Sequence, residues 1–352
     1  MIGRFAGGRR RRPAERGNLW RLVVLLLVVL YFVQIDNLMK VRPDHAFLSL
    51  LIVALVLGNA RRFLIDWSPF IALWIAYDSM RGIADDLAGK IHIVAPFRLE
   101  QALFGWLGGG TIPNFAMLEW RQRIDGTALR HFLDAMASGF YAMHMAAPLV
   151  LAWIFWHTLR DRRAYFLFIL AFSIVTWASF ATYFAYPAAP PWYVRDFGFV
   201  QPEANFKGAG AGNLVATDRW IGIPLFESMY RHLNPNKFAA IPSLHSAFPL
   251  LIFLHAMRRF GRRALPVALF PLGVWFSAVY LNHHYLIDIL LAIAYVLAAD
   301  LLVRRVLFPR LFERGPLRAW LEAGPRAGPA ALLASEAGGE RTAANGVEAG
   351  AR

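Results

Sequence analysis

Apolar runs close to the roughly 20 residues needed to cross a bilayer as a helix recur along this chain, and short arginine-rich segments separate them. In hydrocarbon every backbone N–H and C=O must find its partner within the protein, and a helix satisfies this segment by segment. The pattern therefore restricts the fold to an all-α polytopic membrane bundle. A length of 352 residues would otherwise suggest two soluble domains, but 58% of the residues are hydrophobic and only 17% charged. Trp, Tyr and Phe gather near the ends of the runs, where amphipathic rings sit at the headgroup level.

Charge distribution then excludes one class of partner. The formal net charge is +14, which would suit nucleic acid, yet the arginines fall in short clusters between apolar runs. That is a topology signal with some affinity for anionic headgroups, and no nucleic-acid partner is expected. The chain has no cysteine, so disulfides, thiolate nucleophiles and Cys-ligated metals are all absent from its chemistry.

The runs predict about eight transmembrane helices, near 19–35, 45–60, 67–81, 131–157, 164–186, 241–257, 264–281 and 284–303. Arg9 to Arg12, Arg61-Arg62, Arg160 to Arg163, Arg258 to Arg263 and Arg304-Arg305 occupy alternate connections, which the positive-inside rule makes cytoplasmic, with both termini. The expected organisation is a basic N-terminus at 1–18, two N-terminal spans within 19–66, a catalytic transmembrane domain over 67–305 and a disordered cytoplasmic tail at 306–352 rich in Gly, Ala and Glu. No small-residue cleavage site follows Val33, so the first run reads as an uncleaved span in preference to a signal peptide or twin-arginine signal. Two long extracytoplasmic connections remain, about 82–130 and 187–240. The first holds a mixed segment, Phe97 to Trp106, suited to a surface-lying helix. The second is rich in Pro, Gly and aromatics, as a functional lid would be.

Both unusual histidine segments fall at the outer ends of spans. His284 and Asp288 are four apart, so on a helix they share a face. A carboxylate on one imidazole nitrogen fixes the tautomer and leaves the other free as nucleophile or base; a polar pair facing a loop is the bland alternative. His283 is expected to point away, toward a loop or headgroup. In Pro242-Ser243-Leu244-His245 the proline suits the first turn of a helix, whose exposed N–H groups can receive phosphate. Ser243 can donate its hydroxyl and His245 a proton to a leaving oxygen, although Ser243 would serve equally as a simple cap.

Ala240-Ile241-Pro242-Ser243-Leu244-His245-Ser246 and Ser277-Ala278-Val279-Tyr280-Leu281-Asn282-His283-His284-Tyr285-Leu286-Ile287-Asp288 resemble the second and third signature motifs of the type 2 phosphatidic acid phosphatase superfamily. With Pro190-Pro191-Trp192-Tyr193 they look like its inositolphosphotransferase branch, which includes the fungal inositol phosphorylceramide synthases. The resemblance covers about 130–300. It implies a six-helix core and a two-step phosphoryl transfer without metal or other cofactor. His284 would be the nucleophile that becomes a phosphohistidine, Asp288 its orienting carboxylate, His245 the acid, and Ser243 and Tyr193 substrate-binding groups. The substrate would be a membrane lipid with a phosphate headgroup, and the acceptor water or an alcohol such as inositol or another polyol. Three departures stand out: Ala278 replaces the arginine of the third motif, Leu244 replaces a glycine of the second, and no first motif is found. The phosphate cation must then come from elsewhere, and Arg81 and Arg195 are the candidates, each also readable as an interfacial arginine.

Two further intramembrane groups are open. Asp134 either pairs with Arg130 one turn before it or binds substrate, and His144, near the middle of its span, is either a hydrogen-bonded core histidine or catalytic. The function expected is a membrane phosphotransferase acting at the extracytoplasmic leaflet, with a lipid phosphate phosphatase as the alternative within the enzyme class. Outside that class the alternative is a lipid-binding or transport protein using the same groups as a proton relay. A metal-dependent hydrolase is disfavoured because consecutive helical histidines diverge by about 100°.

Overall fold

The computed structural model describes residues 43–84, 90–203, 206, 210–233 and 236–322. The expected basic N-terminus at 1–18, the span at 19–35 and the part of the expected tail beyond 322 lie outside the described residues. The described residues form helices and loops, with isolated β-bridges and no strand. They divide into two compact units that part between Asp78 and Ser79.

In the first unit α1 (Pro43–Val56) and α2 (Ala60–Asp66) are separated by a turn in which Gly58 takes a φ of +72°. That conformation is open to glycine without a Cβ penalty. Phe63 and Trp67 stack at 4.9 Å beside Phe70. Next, α3 (Ser68–Ala84) runs across the boundary, and its Ser68–Tyr77 portion is apolar but short.

The second unit holds four helical stretches long and apolar enough to cross a membrane: Ala128–Thr158, Arg162–Ala185, Leu244–Tyr280 and Leu286–Glu313. Two short helices precede them, α4 (Val94–Phe104) and α5 (Pro113–Arg123). The first stretch is α6 (Ala128–Trp153), continued to Thr158 by a π-helical turn. Its start is fixed by Thr127, whose hydroxyl accepts from the Arg130 amide at 3.2 Å. Similarly, Asp161 accepts from the Ala164 amide at 3.0 Å to open α7 (Arg162–Ala185). Such caps satisfy donors that the helix leaves without partners.

The Leu244–Tyr280 stretch is two arms. α11 (Leu244–Phe260) ends where Gly261 adopts φ +60° and ψ −145°, a 3-10 segment follows to Ala268, and α12 (Leu269–Tyr280) packs back along α11. The last stretch is α13 (Leu286–Leu302), prolonged by π turns to Glu313 and followed by α14 (Arg318–Glu322). The helical continuation past 305 enters the region expected to be a tail. Between α7 and α11 lie α8 (Pro191–Phe197), α9 (Leu214–Ile221) and α10 (Leu225–Leu233).

α11 is central and packs against α6, α7, α12 and α13. α12 approaches α6 so closely that a Cβ on Gly273 would lie 2.8 Å from the Phe140 ring. Outward faces of these helices expose Phe132, Val150, Trp177, Leu269 and Leu297, while Asp134, Ser138, His144, Asp288 and Asp300 are buried. Polar inside and apolar outside is the distribution a hydrocarbon solvent selects. At the end of α11 remote from His245, Asp300 of α13 accepts from Arg258 at 2.7 Å and from Arg304 at 2.9 Å, tying the two helices.

At the other end the two long connections clasp each other. The His92 amide donates to the Pro187 carbonyl, the Ala189 amide donates to the His92 carbonyl, and the Ala188 amide donates to the Phe238 carbonyl, at 2.8 to 3.0 Å. The His92 and Tyr186 rings stack at 3.9 Å.

Candidate active site

Two helix openings build the site. At α11 the cap is Ser243, whose hydroxyl accepts from the Ser246 amide at 3.2 Å. Pro242 stands ahead of that cap and not in the first helical turn expected for it. Its carbonyl accepts from the Tyr183 hydroxyl at 2.7 Å. His245 follows within the first turn of α11.

The second opening corrects the expectation that His284 and Asp288 share one helical face. α12 ends at Tyr280 and α13 begins only at Leu286. Between them Asn282 takes a left-handed φ of +63°, and the amides of His283 and His284 both donate to the Ala278 carbonyl, at 2.9 and 3.1 Å. His284 thus stands ahead of the helix. The pair forms because Asp288, in the first turn, folds back over the helix opening. Its Oδ2 accepts from the Tyr285 amide at 2.9 Å and lies 3.2 Å from His284 Nδ1.

The surrounding carbonyls assign the protons. His284 Nδ1 also lies 3.1 Å from the Ala240 carbonyl, which can only accept, so Nδ1 carries the hydrogen. In a neutral ring Nε2 is then a lone pair, and it faces His245 Nδ1 at 3.1 Å. His245 must donate there, which leaves its own Nε2 to accept from the Tyr230 hydroxyl at 3.4 Å. Burial pulls the His284 imidazole, in the connection ahead of α13, down to about 4, against an opposing pull from the Ala240 carbonyl. Its free nitrogen is therefore unprotonated at neutral pH, as a nucleophile requires.

Two rings of α6 pack against His245. Tyr141 stacks on it at 4.2 Å and 9°, and His144 lies at 4.0 Å. His144 Nδ1 donates to the Tyr141 carbonyl at 2.5 Å. From sequence, His144 sits at mid-span and His245 at the mouth of another; the structure brings them to one level. α6 starts about 20 Å, at 1.5 Å per residue, before Tyr141, and so runs past the opening of α11. His283 turns Nε2 to the Ala211 carbonyl, donating at 2.9 Å, while its ring lies 4.8 Å from Tyr141 and 5.0 Å from Tyr230. Gly212 allows this approach, since a Cβ there would lie 2.8 Å from that nitrogen. Among the described residues no three His, Asp or Glu groups converge as metal ligands.

The remaining candidates separate. Arg195, on α8, donates to Asn213 Oδ1 and pairs with Asp196 at 2.5 Å. Asn213 in turn is tied to the turn before His283, its amide donating to the Leu281 carbonyl at 3.0 Å. Burial pulls His283 down to about 3, and the charge of Arg195 pushes the same way. Tyr193 does not reach the histidines. It is buried among Phe197, Phe206 and Phe238, and its hydroxyl donates to the Val200 carbonyl at 2.9 Å. The side chain of Arg81 lies outside the described residues.

Asp134 is paired with Arg130 at 2.8 Å and with Arg121 at 2.8 Å, and it accepts from the Tyr280 hydroxyl at 2.6 Å. Its oxygens are occupied by α5, α6 and α12, so it braces helices. Sequence reasoning noted Tyr141 only as a neighbour three residues before His144, and it missed Arg121, Tyr230 and Asn114, whose side chain donates to the His284 carbonyl at 2.9 Å. Only Asn114 and Arg121 carried a signal, as polar groups on one short helix. The absent motif arginine also has a local reason: Ala278 is fully buried in the core with Ala137 and Tyr141.

A family profile described as the PAP2 superfamily matches residues 111–302, a range that includes both histidine segments. The chain belongs to the PAP2 superfamily. This PAP2 protein is 31% identical over 283 residues to the phosphoinositol dihydroceramide synthase of Bacteroides thetaiotaomicron, covering 78% of the chain and 88% of that protein. It is 24% identical over 198 residues to the inositol phosphorylceramide synthase catalytic subunit of Schizosaccharomyces pombe, covering 53% of the chain and 44% of that protein. With the inositol phosphorylceramide synthase of Candida albicans it shares 31% over 160 residues, 45% of the chain and 33% of that protein. No solved structure matches it. It is an integral membrane enzyme of the PAP2-like phosphotransferase type, on the inositolphosphotransferase branch.

Proposed function

We propose that this PAP2 enzyme transfers a phosphoinositol headgroup from a glycerolipid donor to the primary hydroxyl of a ceramide-type lipid, through a phosphohistidine on His284. The observation that carries the reading is the His284 Nε2 lone pair, aimed at His245 Nδ1 and backed by Asp288 through Nδ1. In the first step Nε2 attacks phosphorus, the bond from phosphorus to the diacylglycerol oxygen breaks, and His245, taken to its imidazolium form beside the bound phosphate, gives a proton to that oxygen and becomes a neutral ring. In the second the ceramide hydroxyl attacks the phosphohistidine and returns its proton to His245, and the P–N bond breaks. Positioning and charge neutralisation dominate such transfers.

Phosphate binding falls to the opening of α11, where Ser243 keeps its hydroxyl proton free to donate while its oxygen caps the helix. The positive end of the helix dipole acts in the same direction. Arg195, tethered beside His283, supplies the cation. His284 is only 4% exposed, and that shielding of the nucleophile from water favours an alcohol acceptor over hydrolysis.

On this reading the site faces the extracytoplasmic leaflet, both termini are cytoplasmic, and the chain crosses the membrane about eight times. Support comes from Arg258, Arg259 and Arg304, which lie at the ends of α11 and α13 remote from the histidines, as the positive-inside rule requires.

The test is reconstitution of the purified protein with phosphatidylinositol labelled in the inositol ring and a short-chain ceramide. Labelled phosphoinositol should appear on ceramide, and acid quenching should destroy a labelled enzyme intermediate that alkali preserves. His284→Ala should abolish both signals, and His245→Ala should slow release of diacylglycerol. Release of free inositol phosphate with no ceramide product would replace transfer by hydrolysis. Activity untouched by either substitution would remove the mechanism.

A further inference from the structure

Glu100 is a carboxylate with no solvent exposure, on a short helix that otherwise turns its apolar side outward. Along α4 and the turn after it, Val94, Leu99, Leu103, Trp106 and Leu107 are exposed. Such inverted amphipathicity suits a helix lying at a lipid interface. Among the described residues the buried carboxylate reaches neither a side chain of its own helix nor a neighbouring cation. Its two oxygens accept from the backbone amides of Leu286 and Ile287, at 2.9 and 3.1 Å. Those are the first two residues of α13, immediately after the His284–Tyr285 pair.

The opening of α13 is therefore closed by two carboxylates from different places. Asp288, from within the helix, takes the Tyr285 amide, and Glu100, from 186 residues away, takes the next two. These amides would otherwise be unpaired donors, and a donor turned toward a bound phosphate would compete with α11 for it. Held by Glu100, they also fix the angle at which α13 leaves the His284 turn, and with it the overlap of Asp288 with His284. α4 is itself anchored: Gln101 donates to the Gly110 carbonyl at 2.8 Å, and the preceding His92 bonds to Pro187 and Ala189. Glu100 also lies outside the residues 111–302 matched by the family profile.

We propose that Glu100 is a positioning residue for the nucleophile, a remote cap delivered by an interfacial helix that holds the His284–Asp288 pair in its reactive register. This rests on His284 being the nucleophile. Glu100 touches no reacting atom and acts through the backbone of α13.

The experiment compares Glu100→Gln and Glu100→Asp with the full-length enzyme in phosphatidylinositol-containing vesicles. Gln offers one acceptor and turns an N–H against the other amide; Asp keeps the charge but falls short. Misplacing a nucleophile by a fraction of an ångström slows its step by about 10- to 100-fold. Glu100→Gln should therefore slow phosphoenzyme formation within that range while KM for the donor lipid stays within about twofold, and Glu100→Asp should recover part of the rate. Hydrogen exchange at Leu286 and Ile287 should accelerate in Glu100→Gln, with the rest of α13 unchanged. An unchanged rate of phosphoenzyme formation, a rise confined to KM, or a rate loss matched by an equal loss of folded protein would each overturn the proposal. If the wild-type enzyme forms no phosphoenzyme, the nucleophile assignment falls; if exchange at the two amides ignores the substitution, the cap itself falls.

Discussion

His284 Nε2 and His245 Nδ1 face each other at 3.1 Å, and only one of the two nitrogens can hold the proton between them. The Ala240 carbonyl decides which, because it pins a hydrogen on the far nitrogen of His284. On the proposed mechanism the nucleophile is thus unprotonated on the nitrogen that attacks, and His245 carries a proton on the nitrogen that faces it. For phosphorus to lie between them the two rings must part by the width of a phosphoryl group.

The same geometry sets what loss of Asp288 should do. Where a carboxylate alone fixes a catalytic tautomer, its amide replacement lowers turnover by about 10⁴. Here Ala240 holds the same proton, so Asp288→Asn should lose compensation of the developing imidazolium charge but keep the tautomer. We expect phosphoenzyme formation to fall by about 10²-fold, smaller than in the tautomer-dependent case. A rapid-quench measurement checks this, and a loss as large as that of His284→Ala would refute the role of Ala240.

Acid should act on His284 in a defined window. Its folded value, lowered to about 4 by burial, lies below the ordinary 6.5. A histidine depressed in this way favours the folded state above 6.5, and that contribution is lost as pH falls through about 4. Phosphoenzyme formation should be level from pH 8 down to about 5 and then fall through about 4. A nucleophile titrating near 6.5 in single-turnover experiments would contradict the burial described here.

Glu100 should titrate in the opposite sense. Burial raises it from 4.5 to about 7, the Leu286 and Ile287 amides oppose the rise, and Asp288 adds to it. Tyr285, which faces it from α13, stays neutral in this range because burial raises its phenol. A carboxyl raised on folding contributes fully below about 4.5 and loses that contribution as pH climbs through about 7. Wild-type protein in detergent should accordingly lose up to about 3 kcal/mol of stability between pH 4.5 and 8, and Glu100→Gln should flatten that slope. Thermal unfolding monitored across this range reads it directly.

The Asp134 cluster supports a prediction about stability without chemistry. Arg121 is buried against Tyr280, with its guanidinium 4.4 Å from the ring centroid, and shares Asp134 with Arg130. Removing one partner of a buried pair typically costs about 3–5 kcal/mol, and the remaining Arg130 places Arg121→Ala at the lower end, about 3 kcal/mol. The unfolding midpoint should drop while the pH profile of residual activity keeps its shape. A shifted profile would move this cluster from bracing into catalysis.

Much of the site was legible because its parts are local. Pro242-Ser243-Leu244-His245 and His284 to Asp288 each occupy a few residues, and arginine clusters in alternate connections placed both at one end of their helices. The helical face assigned to His284 and Asp288 was wrong for a local reason too subtle for spacing, the left-handed Asn282 that delays α13 by two residues. His144 stands near the middle of its helical stretch, as expected, and its contact with His245 arises only because α6 runs past the opening of α11. Tyr193 was drawn toward substrate by its motif, whereas the aromatic packing of its loop turns it inward. Glu100 left no signal at all, since one glutamate in a mixed surface segment looks like any solvated charge.

Hydrocarbon-length apolar runs, by themselves, determined that this chain is a helical membrane protein, because an apolar run of that length pairs all its backbone groups in lipid within itself as a helix. Two short segments, again by themselves, pointed to the histidines and the carboxylate that the proposed mechanism uses. Tertiary structure alone decided which nitrogen of each ring is free, that His144 and Tyr141 pack around His245, and that a carboxylate from α4 closes the helix beside the nucleophile. Those outcomes depend on carbonyls and side chains brought together across tens to hundreds of residues, and such contacts follow from how the helices pack rather than from any pattern within one of them.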